Sequence, residues 1–515
     1  MKSVMNHSFS RVPHVDIPRS SFDRSHGYKT TFDAGLLIPF YTDEVLPGDT
    51  FNVNASIFAR LITPIAPIMD NLILDTFFFA VPNRLLWENW ERFNGAQDDP
   101  DSDTDFIIPQ MVSPASGGYD VASLSDYFGI PTAIEELSHS ALWHRAYNLI
   151  YNEWFRDQNL QNSVVVDLGD ADSDPDDYVL LRRGKRHDYF TSCLPWPQKG
   201  PSVPLPIGES APVRHGAGTG ANIGVFSDIQ DAYKGMNATT TVTSNTVALS
   251  AGESLYADLS GATASTINQL RQSFQIQKMY EKDSRGGTRY TELIKSHFGV
   301  TSPDARLQRP EYLGGGSSRV NINPVPQTSE ANTTPQGTMS AYGTMSAHNH
   351  GFTKSFTEHC TVIGITCLRA DLSYQEGLDR KWSRNTRFDF FWPALAHLGE
   401  QSVLNKEIYA QGSANPTEDA DVFGYQERYA EYRYMPSKIT GLFRSQAAGT
   451  LELWHLAQKF GSLPALNAAF IEEHPPIDRI TSVPSEPHVL FDSYISIKSA
   501  RPMPTYSVPG LIDHF

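Results

Sequence analysis

Apolar and polar residues alternate over several stretches of about ten positions, and this pattern predicts strands. Phe51 to Leu61 (FNVNASIFARL) and Val489 to Lys498 (VLFDSYISIK) show it, and Leu72 to Val81 (LILDTFFFAV) is a further candidate strand. The stretch that organises the rest is Ser355 to Tyr374 (SFTEHCTVIGITCLRADLSY). Its Phe356, Val362 and Ile365 fit a buried strand, and Ile363 beside Val362 implies that parts of both faces are covered. Gly364 in mid-run marks a bulge or a close backbone approach. A strand this long needs partners on both sides, because a lone hairpin is marginal in water. The candidate partners lie far apart in the chain, so the predicted core is a sheet of non-local pairings with long excursions between strands.

Helical spacing occurs inside those excursions. After Pro82 and a capping Asn83, the run RLLWENWERF places Leu86, Trp90 and Phe93 on one face and stops at Gly95. Residues 140–155 repeat the pattern with Leu142, Ala146, Leu149, Ile150 and Trp154. A third helix is expected from Thr266, with Ile267, Leu270 and Phe274 on one face, and a fourth from Thr291 to Phe298, ended by Gly299. Residues 310–350, with Gly314, Gly315, Gly316 and several prolines, read as loop. Residues 200–265 differ from everything else, being poor in charge and full of Gly, Ala, Ser, Thr and Asn. Such a composition buries little apolar area, and Thr-Val alternation from Thr239 to Leu249 favours a small β-rich surface insertion. Residues 1–35 and 501–515 read as arms held extended by prolines; the first is mildly basic through Arg11, Arg19, Arg24 and Lys29.

Composition narrows the class. The 36 glycines, 34 prolines and 11% aromatic residues in 515 positions favour short strands and many turns. The formal charge of −17 excludes a protein whose main business is a basic coat around nucleic acid, while leaving room for a local basic patch. Cys193, Cys360 and Cys367 are too few for a disulfide framework, and the last two are expected as small buried hydrophobes. The N-terminus shows no apolar signal-peptide core, and no apolar run approaches the roughly 18 residues of a membrane span. A soluble protein made in a reducing compartment is the expectation.

Candidate chemistry is sparse. His348 and His350 have the spacing of a metal pair, but no carboxylate follows within the required three or four residues. Two acidic runs, Asp98 to Asp105 and Asp167 to Asp177, alternate like calcium loops for three positions. They then place Phe106 or Pro175 where glycine is needed, and Val112 or Leu181 where glutamate is needed. Solvated loops are expected, a loose calcium clip between chains being the alternative. The basic run Arg182-Arg183-Gly184-Lys185-Arg186 directly follows the second acidic run, and charge compensation is favoured there over phosphate binding. No phosphate-binding loop, nucleophile elbow or zinc spacing is present, so no catalytic residue, metal or cofactor is expected.

Several long blocks, taken together, resemble one family. They are HSFSRVPHVDIPRSSFDRSHGYKTTFDAGLLIPFY near the start, GGTRYTELIKSHFGVTSPDARLQRPEYLGGGS, WSRNTRFDFFWPALAHLGEQSVLNKEIYAQG with FGYQERYAEYRY, and SVPSEPHVLFDSY with ARPMPTYSVPGLIDHF at the end. In order and over nearly the whole chain, these resemble the major capsid protein of gokushoviruses, small single-stranded DNA bacteriophages of the Microviridae. The resemblance implies an all-β core, an eight-stranded antiparallel jelly roll with loop and helical insertions. It implies a T=1 icosahedral shell of sixty copies, assembled in the host bacterial cytoplasm around the DNA genome. It further implies a small basic DNA-binding virion protein as partner, and residues 200–265 as a three-fold protrusion that meets a host surface receptor. Inter-subunit anchors are then expected among Trp382, Arg384, Arg387, Phe388, Trp392, Tyr425, Tyr429 and Tyr432. Arg11, Arg19, Arg24 and Lys29 are expected to face the interior. The competing readings are a jelly roll that binds or cleaves carbohydrate and a cupin-like metalloenzyme.

Overall fold

The computed structural model describes residues 18–204, 267–330 and 334–506, together with the backbone of four short strands within 205–266. The chain divides into two compact units, one made of residues 1–197 and 286–515 and the other of Gln198–Arg285. The large unit is built on ten strands. They are β1 (Ser20–Asp23), β2 (His26–Phe32), β3 (Ile38–Val45), β4 (Thr50–Leu61), β5 (Leu72–Pro82), β6 (Glu311–Arg319), β7 (Asn321–Pro326), β8 (Met339–Ser355), β9 (Cys360–Ala370) and β10 (Val489–Arg501). They form two sheets in which every pairing is antiparallel. In the first sheet β1 and β2 both pair with β10, and the order continues β10-β4-β8-β7; the second runs β6-β5-β9-β3.

The sheets pack face to face through aromatic rings. Phe40 of β3 lies 5.8 Å from Phe491 of β10, and Phe78 of β5 lies 5.4 Å from Phe352 of β8. Burying a phenylalanine in such a layer is worth a few kcal/mol, so these contacts weld the two sheets into one core. Their outer faces differ. In β4 and β10 every second residue is buried, which leaves the first sheet open on its outer side. In β5 and β9 almost every residue is buried. The helix α1 (Leu142–Ile150) covers that outer side, setting Ala146, Tyr147 and Ile150 against Phe79, Val81, Ile363 and Cys367. A sheet covered on both sides has no polar face to alternate with.

One buried charge sits in the covered sheet. Asp75 of β5 pairs with Arg369 of β9 at 2.7 Å, with Arg183 from the basic run, and with the Ser317 hydroxyl of β6. Burial opposes its ionisation, but the Ser317 hydrogen bond and the two guanidiniums outweigh it and hold the carboxyl below its ordinary range. The node therefore ties together three strands and the loop that follows α1.

Several predicted elements need correction. Residues 310–350 are not loop: they supply β6, β7 and most of β8. The glycines are there because the backbones approach closely; a Cβ on Gly315 would collide with the Thr76 carbonyl. Gly364 fits both readings offered for it. The β9–β3 register shifts there, and a Cβ would sit 2.9 Å from both Phe78 and Tyr41. The organising stretch is cut by a turn, so Ser355 ends β8 while β9 begins at Cys360. RLLWENWERF forms only a 3-10 turn, Asn83–Leu85, and one helical turn, Trp90–Phe93. The segment expected as an N-terminal arm joins the first sheet from Ser20 to Phe32. The helix Tyr290–Phe298 ends at Gly299 as predicted. Cys360 and Cys367 are buried and free. In the second unit the helix Ile267–Arg285 is formed, and four short strands pair two by two; the rest of 205–266 lies outside the described residues.

Asp75→Asn is expected to cost about 3 kcal/mol at neutral pH, because two half-buried guanidiniums lose the carboxylate they share. A carboxyl depressed in the folded state contributes stability above its ordinary pKa and loses it as pH falls through the folded value. The gap between variant and parent should therefore narrow below about pH 4 in urea unfolding of the unassembled chain.

Candidate assembly interface

The excursion between β9 and β10 builds a second apolar centre. Two paired strands, Glu400–Leu404 and Val422–Glu427, bury Val403 and Phe423 against Tyr189, Phe190, Tyr374 and Phe470. Beneath the surface, Glu407 accepts hydrogen bonds from Arg380 (3.0 Å), from the Tyr189 hydroxyl (2.8 Å) and from the backbone of Leu404 (3.0 Å). Burial pushes its carboxyl above the ordinary range, with Arg380 pulling the other way. This base fixes the backbone from which residues 380–392 project.

Those residues form no long regular element; they run through short 3-10 turns, Arg380–Ser383 and Arg387–Asp389. Their order comes from arginines laid over rings. The Arg384 guanidinium sits 4.4 Å from the Tyr432 ring centroid and 5.2 Å from that of Phe390, and pairs with Glu431 at 3.4 Å. Gln401 holds the other oxygen of Glu431 at 3.0 Å. Arg387 lies 4.9 Å from the Phe388 ring and 6.0 Å from that of Trp392, whose indole N–H donates to the Arg387 carbonyl at 2.9 Å. Tyr429 takes a left-handed backbone at φ 62° and donates its hydroxyl to the Phe388 carbonyl at 3.2 Å.

The expected anchors therefore separate. Trp382 (71% exposed), Arg387, Phe388, Trp392 and Tyr432 are exposed, Arg384 and Tyr425 are half-buried, and Tyr429 is buried beneath the others. The structure brings Arg384, Arg387, Phe388, Trp392, Tyr429 and Tyr432 into one linked group. Tyr425 instead holds Leu194 through two backbone hydrogen bonds of 2.8 Å, and Trp382 carries the Lys381 ammonium over its ring. Met435 and Leu442 are also well exposed, and neither sits in a periodic pattern that would single it out from sequence.

The chain matches a family model described as "Capsid protein (F protein)" over residues 10–511. It is 49% identical to the capsid protein VP1 of Bdellovibrio phage phiMH2K, covering 99% of this chain and 98% of that one. It is also 46% identical to VP1 of Chlamydia phage 1, with 99% and 98% covered, and 37% identical to VP1 of Spiroplasma virus 4, with 98% and 97% covered. The chain belongs to the F-protein capsid family. These relatives are structural coat proteins of gokushoviruses and not enzymes.

For a capsid chain, the remaining predicted sites resolve as follows. Among the described residues no group of His, Cys, Asp and Glu could hold a metal ion. His350 instead bonds to the Thr76 hydroxyl at 2.9 Å. Asp170 of the second acidic run accepts from the Trp87 indole (2.6 Å) and from Asn89 (2.9 Å). Of the four cations expected inside, Arg24 is bound to Asp43 at 2.5 Å and lies over Phe51, and Arg19 donates to the Gly48 carbonyl and the Thr50 hydroxyl. Lys29 is exposed, 3.9 Å from Asp492, and Arg11 lies outside the described residues.

Buried aromatic and arginine anchors cost about 2 kcal/mol or more when truncated at an interface. Trp392→Ala and Arg387→Ala should each weaken self-association at least tenfold. Changing the five aspartates between Asp98 and Asp105 to Asn should alter it less than threefold. Sedimentation of each variant, with circular dichroism to confirm folding, gives the comparison.

Proposed function

We propose that this chain is a jelly-roll wall unit that assembles, as sixty copies, into a T=1 icosahedral shell around a single-stranded DNA genome. The observation that carries the reading is the pairing order. Counting β2, β3, β4, β5, β6, β8, β9 and β10 as strands one to eight, the sheets run 1-8-3-6 and 2-7-4-5. In that order each sheet takes strands from both ends of the chain, so every sheet neighbour is distant in sequence and the connecting loops are free to grow into contact surfaces. The relatives' name, capsid protein, supports the same reading.

In this scheme the Arg384–Trp392 surface meets a neighbouring copy, and Arg11, Arg19, Arg24 and Lys29 turn toward the interior. A small basic virion protein supplies the positive charge that a chain of −17 lacks, and residues 200–265 form the outward three-fold knob that engages the bacterial receptor. Like-charge repulsion between acidic subunits is short-ranged at physiological salt, where the screening length is about 8 Å. Interfaces burying on the order of 2,000 Å² then dominate. Electron microscopy of the concentrated chain should show closed, uniform particles, whereas deletion of Pro502–Phe515 should leave soluble monomers or pentamers. Normal particles from the deletion would remove the C-terminal segment from the scheme, and a wild-type chain that never associates would overturn it.

A further inference from the structure

The outer face of the β6-β5-β9-β3 sheet is not wholly covered by α1. Beyond the helix end, where the chain passes through Tyr151–Phe155, a cleft of about 430 Å³ opens over β5 and β6. Its floor is aromatic. The Tyr312 ring lies 5.7 Å from that of Phe79 and 6.1 Å from that of Trp154, and Phe77 stands 5.3 Å from Phe155. Phe79 is buried, but Trp154 and Tyr312 remain 42% and 44% exposed. Trp154 is also held rigidly: its indole N–H donates to the Pro310 carbonyl at 2.9 Å, and the Arg309 guanidinium sits 4.1 Å from its ring centroid.

The rim is basic. Arg156, Arg183, Lys185 and Arg186 line the cleft against a single carboxylate, Asp157, in a chain whose net charge is −17. Two of the four cations have partners inside the fold. Arg183 is bound to Asp75 and lies over Phe77, and the Lys185 ammonium donates to the Phe470 carbonyl at 2.7 Å. The other two are underused. Arg186 is exposed with no ion-pair partner among the described residues. Arg156 donates one N–H to the Gln161 carbonyl at 2.9 Å, while its Nε is buried without a partner.

From this geometry we infer that the cleft takes one nucleotide of single-stranded nucleic acid, its base against the Tyr312 and Trp154 rings and its phosphate at Arg186 and Arg156. The inference rests on the shell reading and names the ligand of one of its surfaces. A fixed ring with free π surface next to unspent guanidinium is the pairing that single strands require, since a duplex hides its base faces. An acidic peptide would satisfy the cations but would leave the rings without a stacking partner. A basic protein would be repelled.

The test uses the full-length unassembled chain and a short labelled oligothymidylate, followed by fluorescence anisotropy over a range of salt. Stacking of one base is worth about 1–3 kcal/mol, so Tyr312→Ala should weaken binding roughly 5- to 150-fold, and Tyr312→Phe should restore it. Arg186→Ala should lower the magnitude of the salt slope by about 0.7. Unchanged affinity in Tyr312→Ala overturns the inference. So does a polyglutamate that competes as well as the oligonucleotide with the same dependence on Tyr312, because that outcome assigns the cleft to an acidic peptide. Particle formation by the same variants is scored separately by electron microscopy. Shells that form from a chain with no Tyr312-dependent binding sink this inference alone, and a parent chain that binds yet never forms shells sinks only the assembly reading.

Discussion

Covering a four-stranded sheet on both faces is the demand that shapes the rest of the large unit. One face of β6-β5-β9-β3 is covered by the other sheet, but the second needs material from outside the strands. The chain supplies it in the excursion after β5, which carries α1 and the loop beyond it. Once water is excluded from both sides, any charge left inside must be matched, and Asp75 is matched by groups from three separate segments. A polar node of this kind holds the covering layer in one position, because a shifted loop would leave the buried Asp75 carboxylate without its guanidinium partners.

The surface group around Arg384 and Arg387 follows a different logic. Its backbone is irregular, so hydrogen-bonded ladders do not fix it. Guanidinium-over-ring contacts do, with Glu431 and Gln401 anchoring one end and buried Tyr429 the other. Each contact at an exposed site is worth only about 0.5–1 kcal/mol, so their sum orders the segment without making it rigid. Contacts of this kind strengthen wherever water is excluded from them. A surface that is pre-ordered and still apolar loses less side-chain entropy on association than a floppy one.

The strands facing water on one side were legible in the sequence because their alternation is a direct image of burial. Phe51–Leu61 and Val489–Lys498 map onto β4 and β10 almost residue for residue. The strands buried on both sides were legible as apolar runs, although their ends were not, since nothing in Ser355–Cys360 signals a turn by composition. The glycine-rich β6 was missed because glycine argues for loop in isolation, and only contact with Thr76 explains why it stands in a ladder. RLLWENWERF was over-read: its Trp87 and Leu86 are buried, and tertiary burial there overrides the helical period. The aromatic-arginine segment was legible as a candidate from residue type alone, but composition could not separate buried Tyr429 from exposed Tyr432. The basic run shows the same limit. Arg183 is compensated from strand β5 and Lys185 by a backbone carbonyl, not by the acidic run next to them in sequence.

The position of β10 has a consequence for biosynthesis. This strand lies between β2 and β4 in the open sheet, yet it is encoded by residues 489–501 and emerges from the ribosome after every other described strand. Until then the backbone edges of β2 and β4 have no neighbour to bond. The sheet closes only after residues 489–501 have been made, and non-local closure of this kind is slow. Nascent chains crowded on one message would expose matching unpaired edges to one another throughout that interval, a hazard for mispairing that the finished particle no longer carries.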